Sequence, residues 1–91
     1  MEHMVVEKSD KLIFREIDGE VVIIANDGSH IHMLNETATL IWNCSNKRTS
    51  VRQIITEMCE QYDVDEDSAS RDVLETIKSL SEKNLIRVFE Q

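Results

Sequence analysis

No proline interrupts the 91-residue chain. Every other residue type keeps its backbone N–H, so no element is forced to stop or kink by a missing donor. Glycine is almost as scarce. The two glycines, Gly19 and Gly28, each follow an aspartate at a turn, which leaves no glycine-rich loop to cradle a phosphate. Aromatic residues make up 4% against 41% hydrophobic residues in total, so aliphatic side chains must build the core. No apolar run approaches the roughly 20 residues needed to span a bilayer. The first ten residues, MEHMVVEKSD, lack the apolar stretch and cleavage site of an export signal. The two cysteines, Cys44 and Cys59, sit in apolar helical patterns. Without an export signal they read as reduced core thiols rather than a disulfide. These absences predict a soluble, cytoplasmic protein with no membrane association.

Positive charge is also in short supply. Ten basic residues face 18 acidic ones, for a net charge of −8. The deficit is even: residues 1–34 carry seven acids and three bases, and residues 35–91 carry eleven and seven. A field of this sign repels phosphate backbones and anionic membranes, and it favours a cationic partner or simply keeps the protein soluble. The length suits one domain, 1–91, which at this size buries only about 60–65% of its unfolded surface.

What is present divides in two. KLIFREIDGEVVIIANDGSHIHML is rich in β-branched and aliphatic residues, and Asp18-Gly19 falls between two such runs. That dipeptide favours a tight type I′ hairpin. Strands are predicted near 12–17 and 20–25, a second turn at Asn26-Asp27-Gly28, and a short third strand near 29–33. Helices follow. Asn35 can cap a helix running to about Cys44, with Ala38, Ile41 and Trp42 on one face. Ser50 with Gln53 forms a capping box. The helix it opens carries Val51, Ile54, Ile55, Met58 and Tyr62 at helical spacing. Asp63 with Glu66 forms a second box, ahead of a third helix striped by Ala69, Val73, Ile77 and Leu80. Asn84 can take the left-handed conformation that ends a helix, and LIRVF reads as a short extended tail over the core. The order is βββααα. The predicted class is α+β: a three-stranded antiparallel N-terminal sheet followed by three helices, in a winged helix-turn-helix-like arrangement.

Chemistry finds little purchase here. His30 and His32 share one face of a strand, about 6.5–7 Å apart, but zinc needs three or four ligands. No further His-rich or CxxC element exists, so no metal is expected. The imidazoles are read as facing outward, with Ile31 and Met33 toward the core. Neither cysteine has surroundings that would expose a thiolate. DVDED lacks the glycine and spacing of a calcium loop and is better read as helix capping. No enzyme activity and no cofactor are expected.

Two readings without catalysis stay open. One is a winged-helix DNA-binding regulator. Against it, the start of the third helix, DVDEDSASRD, would set carboxylates against phosphates, and the basic cluster Lys47, Arg48 and Arg52 lies elsewhere. The other is a peptide binder. The third strand is short and last in the meander, so it can lie at the sheet edge, where an extended peptide adds as a further strand. The candidate contacts are Ser29, His30, Ile31, His32, Met33 and Leu34. A helix beside that edge would supply pockets. The third helix offers Asp72, Val73, Thr76, Ile77, Leu80 and Lys83.

LNETATLIW at 34–42, Thr49, and IITEMCEQYDVDEDSASRDVLETIKSLSEKNLI at 54–86 resemble the family of the pyrroloquinoline quinone biosynthesis protein D. The matching positions are Leu34, Asn35, Ala38, Ile41, Trp42, Thr49, Ile54, Tyr62, Asp63, Val64, Asp72, Val73, Leu80 and Leu85. The family's Asp-Gly after the first helix is absent, Cys44-Ser45-Asn46-Lys47 standing there, and its Gly before the final Leu is Asn84. The resemblance implies a peptide chaperone, or RiPP recognition element. Such a domain binds the leader of a ribosomally made precursor peptide and presents it to a modifying enzyme, often a radical SAM enzyme. It also implies that the leader adds beside the third strand, against the third helix. Trp42 is then a core anchor, and the two histidines flank the bound peptide.

Overall fold

The computed structural model describes residues 4–10, 12–24 and 30–90. Its elements run β1 (Met4–Lys8), β2 (Ile13–Ile17), β3 (Glu20–Ile24), β4 (Ile31–Met33), α1 (Glu36–Cys44), β5 (Thr49–Ser50), α2 (Val51–Gln61), α3 (Glu66–Glu82) and β6 (Ile86–Glu90). The strands form two antiparallel three-stranded sheets, ordered β2-β3-β4 and β5-β1-β6.

The first sheet and the three helices are the βββααα unit expected from the sequence. The β2–β3 hairpin closes on Asp18 and Gly19, with φ of 52° and 84°, the paired left-handed conformations of a type I′ turn. The predicted turn at Asn26-Asp27-Gly28 and the residue Ser29 lie outside the described residues.

The second sheet is an addition. The sequence reading assigns no element to the first ten residues and leaves LIRVF as a tail. In the structure the two pair from Met4↔Glu90 to Lys8↔Ile86. Val5 and Val6 bury against the domain, as do Leu85 and Ile86. Two segments far apart in the sequence are therefore joined in one sheet, with β1 packed against α2 and β6 against α3.

The helix starts are fixed by side-chain oxygens that accept from unpaired amides of the first turn. Asn35 accepts from Ala38 N–H, and Ser50 accepts from Gln53 N–H. At α3 the cap is Asp65, accepting from Ser68 N–H at 2.7 Å, and not the expected Asp63. The link from α2 keeps Tyr62 extended, so the first residue placed to cap comes two positions later. Asn84 has φ 60° and ends α3 as expected. The core collects Val21 and Ile23 from β3, Leu34, the buried faces of all three helices, and Leu85 and Ile86.

Candidate functional site

The corner between β4 and α1 sets the geometry of the sheet edge. Leu34 N–H donates to the Val21 carbonyl at 2.8 Å. In an antiparallel ladder the opposed pair would exchange a second bond, from Val21 N–H to the Leu34 carbonyl. Here the hydroxyl of Thr39 is interposed. It accepts from Val21 N–H at 3.1 Å and donates to the Leu34 carbonyl at 3.3 Å. Thr39 is buried, and it ties the first turn of α1 into the sheet.

This junction fixes which side chains face which way. Counting back from Val21–Leu34, Ile23 pairs with His32, and Val22 pairs with Met33. Val21, Ile23 and Leu34 are core residues, so His32 shares their inner face and is half-buried. Ile31 and Met33 are on the outer face, 67% and 77% exposed. The expected orientation is thus reversed. The reason is parity: alternation runs from the buried Leu34, not from the apolar character of Ile31 and Met33. The same alternation aims the main-chain groups. His32 points its N–H and carbonyl at β3, so Ile31 and Met33 point theirs away from it. Among the described residues, no strand pairs with β4 on that side. The edge therefore presents donors and acceptors to which another extended chain can hydrogen-bond.

The helical half of the expected site divides. Val73, Ile77 and Leu80 are at most 2% exposed and belong to the same core cluster as Leu34. As cleft-lining residues they are a correction. The stripe that makes α3 amphipathic is spent on the core, leaving those side chains no surface to offer. Asp72 and Lys83 are exposed and Thr76 half-buried. They run along the flank of that stripe.

The two histidines stack, with ring centroids 6.1 Å apart and planes 16° from parallel. Among the described residues, no group of three or more His, Cys, Asp or Glu is placed to hold a metal ion. Cys44 and Cys59 are unbridged. Burial, and then the carboxylate of Glu57, raise the thiol pKa of Cys44, which disfavours a reactive thiolate. No helix among the described residues is long and apolar enough to cross a membrane.

Trp42 is fully buried, as expected of a core anchor. Phe14 from β2 meets it edge-on, with centroids 5.3 Å apart. Lys8 spans both rings at 4.6 and 4.7 Å and hydrogen-bonds Asn46, and burial lowers its pKa. This cluster joins β1, β2 and α1. Sequence reasoning found Trp42 but neither partner, because each comes from a different element with no local signal.

These features define a small α+β domain in which β4 lies at an open edge of its sheet. The chain belongs to the coenzyme PQQ synthesis protein D (PqqD) family, whose model matches residues 20–86. Solved structures agree. TbiB1, determined with the TbiA(beta) leader peptide, is 26% identical with a TM-score of 0.78, over 89% of this chain and 94% of that one. A lasso peptide synthetase B1 complexed with the leader peptide is 21% identical with a TM-score of 0.78, over 90% and 96%. The PqqD truncation of Methylobacterium extorquens PqqCD, described as a stand-alone RiPP recognition element, is 20% identical with a TM-score of 0.74, over 91% and 88%. No curated protein matches the sequence.

Proposed function

We propose that this protein is a non-catalytic RiPP recognition element. It binds the leader segment of a ribosomally made precursor peptide as an added strand on β4 and presents it to a modifying enzyme, a radical SAM enzyme in the expected setting, in the cytoplasm. The observation that carries this reading is the open edge of β4, where Ile31 and Met33 turn their main-chain groups away from β3. Strand addition uses such groups for affinity and alternate side chains for specificity. Family membership and the leader complexes of two similar structures support it. The net charge of −8 suits a leader with basic flanks, whose association then weakens with salt.

The DNA-binding reading loses ground on the geometry. The first turn of α3 carries Glu66 and Asp67 next to the Asp65 cap, all exposed, where a recognition helix would meet phosphates.

An amide-shift titration tests the proposal. The ligand is the synthetic leader of a short precursor encoded beside this gene. Shifts are expected at residues 30–34 and on the Asp72–Thr76 flank of α3, with Val51–Gln61 of α2 nearly silent. Shifts centred on α2, or no binding by any neighbouring precursor, overturn it.

A further inference from the structure

The outward face of the β2-β3-β4 sheet is apolar where a solvated sheet face is usually polar. Pairing sets its side chains in three rows. Ile13, Ile24 and Ile31 form the first, Arg15, Val22 and Met33 the second, and Ile17 and Glu20 the third. Ile13 is 61% exposed, Ile17 55%, Ile31 67% and Met33 77%. Exposed hydrophobic residues are ordinary singly, but a contiguous group marks a surface that something covers.

The third row lacks its member on β4. In the same register that place falls to Asn35, but Asn35 caps α1, and the chain leaves the sheet there. A hollow of about 410 Å³ marks the corner, bounded by Ile17, Val22, Met33 and Asn35. The face therefore carries an exposed knob, Ile17, at one end of the third row and a hollow at the other.

This pattern is complementary to itself. A two-fold axis parallel to the strands and passing over β3 turns a second copy face to face with the first. It exchanges β2 for the partner's β4 and keeps each row level. Ile17 of each copy then enters the other's hollow, Ile13 lies on the partner's Ile31, and Ile24 and Val22 meet their own copies. Arg15 lays its aliphatic stem over the partner's Met33, one row from the partner's Glu20. The two Glu20 side chains meet only at the rim. A two-fold axis across the strands instead stacks Arg15 on the partner's Arg15 and Glu20 on the partner's Ile24, which charge disfavours. Facing sheets pack about 10 Å apart with strands within about 30° of each other, and their side chains interdigitate.

Charge also suits a second copy. The face holds one base and one acid, although the chain carries −8 overall. The acidic excess lies elsewhere and opposes self-association only through its long-range field, which salt screens.

We propose that the outward face of the β2-β3-β4 sheet is the interface of a symmetric dimer, packed sheet to sheet, with Ile17 of each copy seated in the hollow beside the other's Met33. Such an interface uses one patch twice. The free main-chain groups of β4 point sideways, in the plane of the sheet, so both edges stay open to an added strand. The dimer does not depend on the strand-addition reading.

The test is sedimentation equilibrium of the full chain without peptide, from about 1 μM to 1 mM, at low and high salt, with amide shifts followed on dilution. A monomer–dimer equilibrium is expected, tighter at high salt, with dilution shifts at residues 13–24 and 31–33. The Ile13→Thr/Ile17→Thr variant changes β2 alone. Threonine keeps strand propensity at exposed positions, and matching melting curves establish that the variant is folded. Each substitution acts twice in a symmetric dimer, so association should weaken at least about 10-fold, while the leader titration is unchanged. A parent that stays monomeric throughout overturns the proposal, as does a dimer that the folded variant keeps or that salt dissolves. Dilution shifts centred elsewhere overturn it without any substitution, whether or not the variant folds. A folded variant that loses leader binding together with the dimer assigns the face to the peptide and overturns it. Failure of the parent to bind any leader overturns strand addition and leaves the dimer standing.

Discussion

Thr39, a helix residue, accepts a hydrogen bond from the backbone N–H of Val21 in the sheet at 3.1 Å, and its hydroxyl donates one to the Leu34 carbonyl at 3.3 Å. One hydroxyl thereby completes a ladder pair between β3 and the end of β4, and holds the parity of the edge strand. Thr39→Val keeps the shape but leaves a buried donor and a buried acceptor without partners. The expected cost is about 1–3 kcal/mol in thermal or urea unfolding. Thr39→Ser, which retains the hydroxyl, should cost clearly less. Equal losses in the two variants would assign the effect to packing of the methyl group instead.

The edge itself is tested by proline. Ile31 points its N–H away from β3, so Ile31→Pro removes an edge donor and spares the ladder. His32 points its N–H at Ile23, so His32→Pro breaks a ladder bond. The first variant should melt near the parent while losing leader binding. The second should be destabilised outright. Calorimetric melts and the leader titration, run on both, separate these outcomes. Full leader affinity in a folded Ile31→Pro protein would mean that the peptide docks elsewhere.

Trp42 should be structural. A buried aromatic cut to alanine typically costs about 3–5 kcal/mol, a large part of a small domain's stability. Its indole Nε1 has no hydrogen-bond partner among the described residues, so Trp42→Phe forfeits ring volume but no hydrogen bond and should be much milder. If Trp42→Ala melts like the parent and yet loses leader binding, Trp42 belongs to the site instead of the core.

How far these features were legible in the sequence follows from how local each one is. The Asp18-Gly19 turn, the Asn35 and Ser50 caps and the Asn84 helix end are carried by a few adjacent residues, and each appears where it was expected. The pairing of β1 with β6 joins opposite ends of the chain, and no short-range pattern announces it. The facing of Ile31 and Met33 failed for a related reason. A three-residue strand has too little alternation of its own, and its parity is imposed by Leu34 and by a threonine five residues further on. Val73, Ile77 and Leu80 were seen as an apolar stripe, but periodicity alone does not tell a stripe that makes a core from one that lines a cleft.

Acid should loosen α3 through its cap. The Asp65 carboxylate accepts the Ser68 amide bond, which holds its pKa below the usual aspartate value, and nearby Arg71 acts in the same direction. A carboxyl group whose folded pKa is depressed contributes stability that is complete above the unfolded value, near 3.9, and is lost as pH falls through the folded value below it. The effect is therefore confined to pH below about 4. Asparagine caps as well as aspartate but does not titrate there. Asp65→Asn should stay close to the parent at neutral pH and lose less stability than the parent between pH 4 and pH 2. Asp65→Ala should be weaker throughout. Helical circular dichroism melts of the three proteins across this range make the comparison. Parallel acid losses in the parent and Asp65→Asn would place the acid-sensitive group elsewhere.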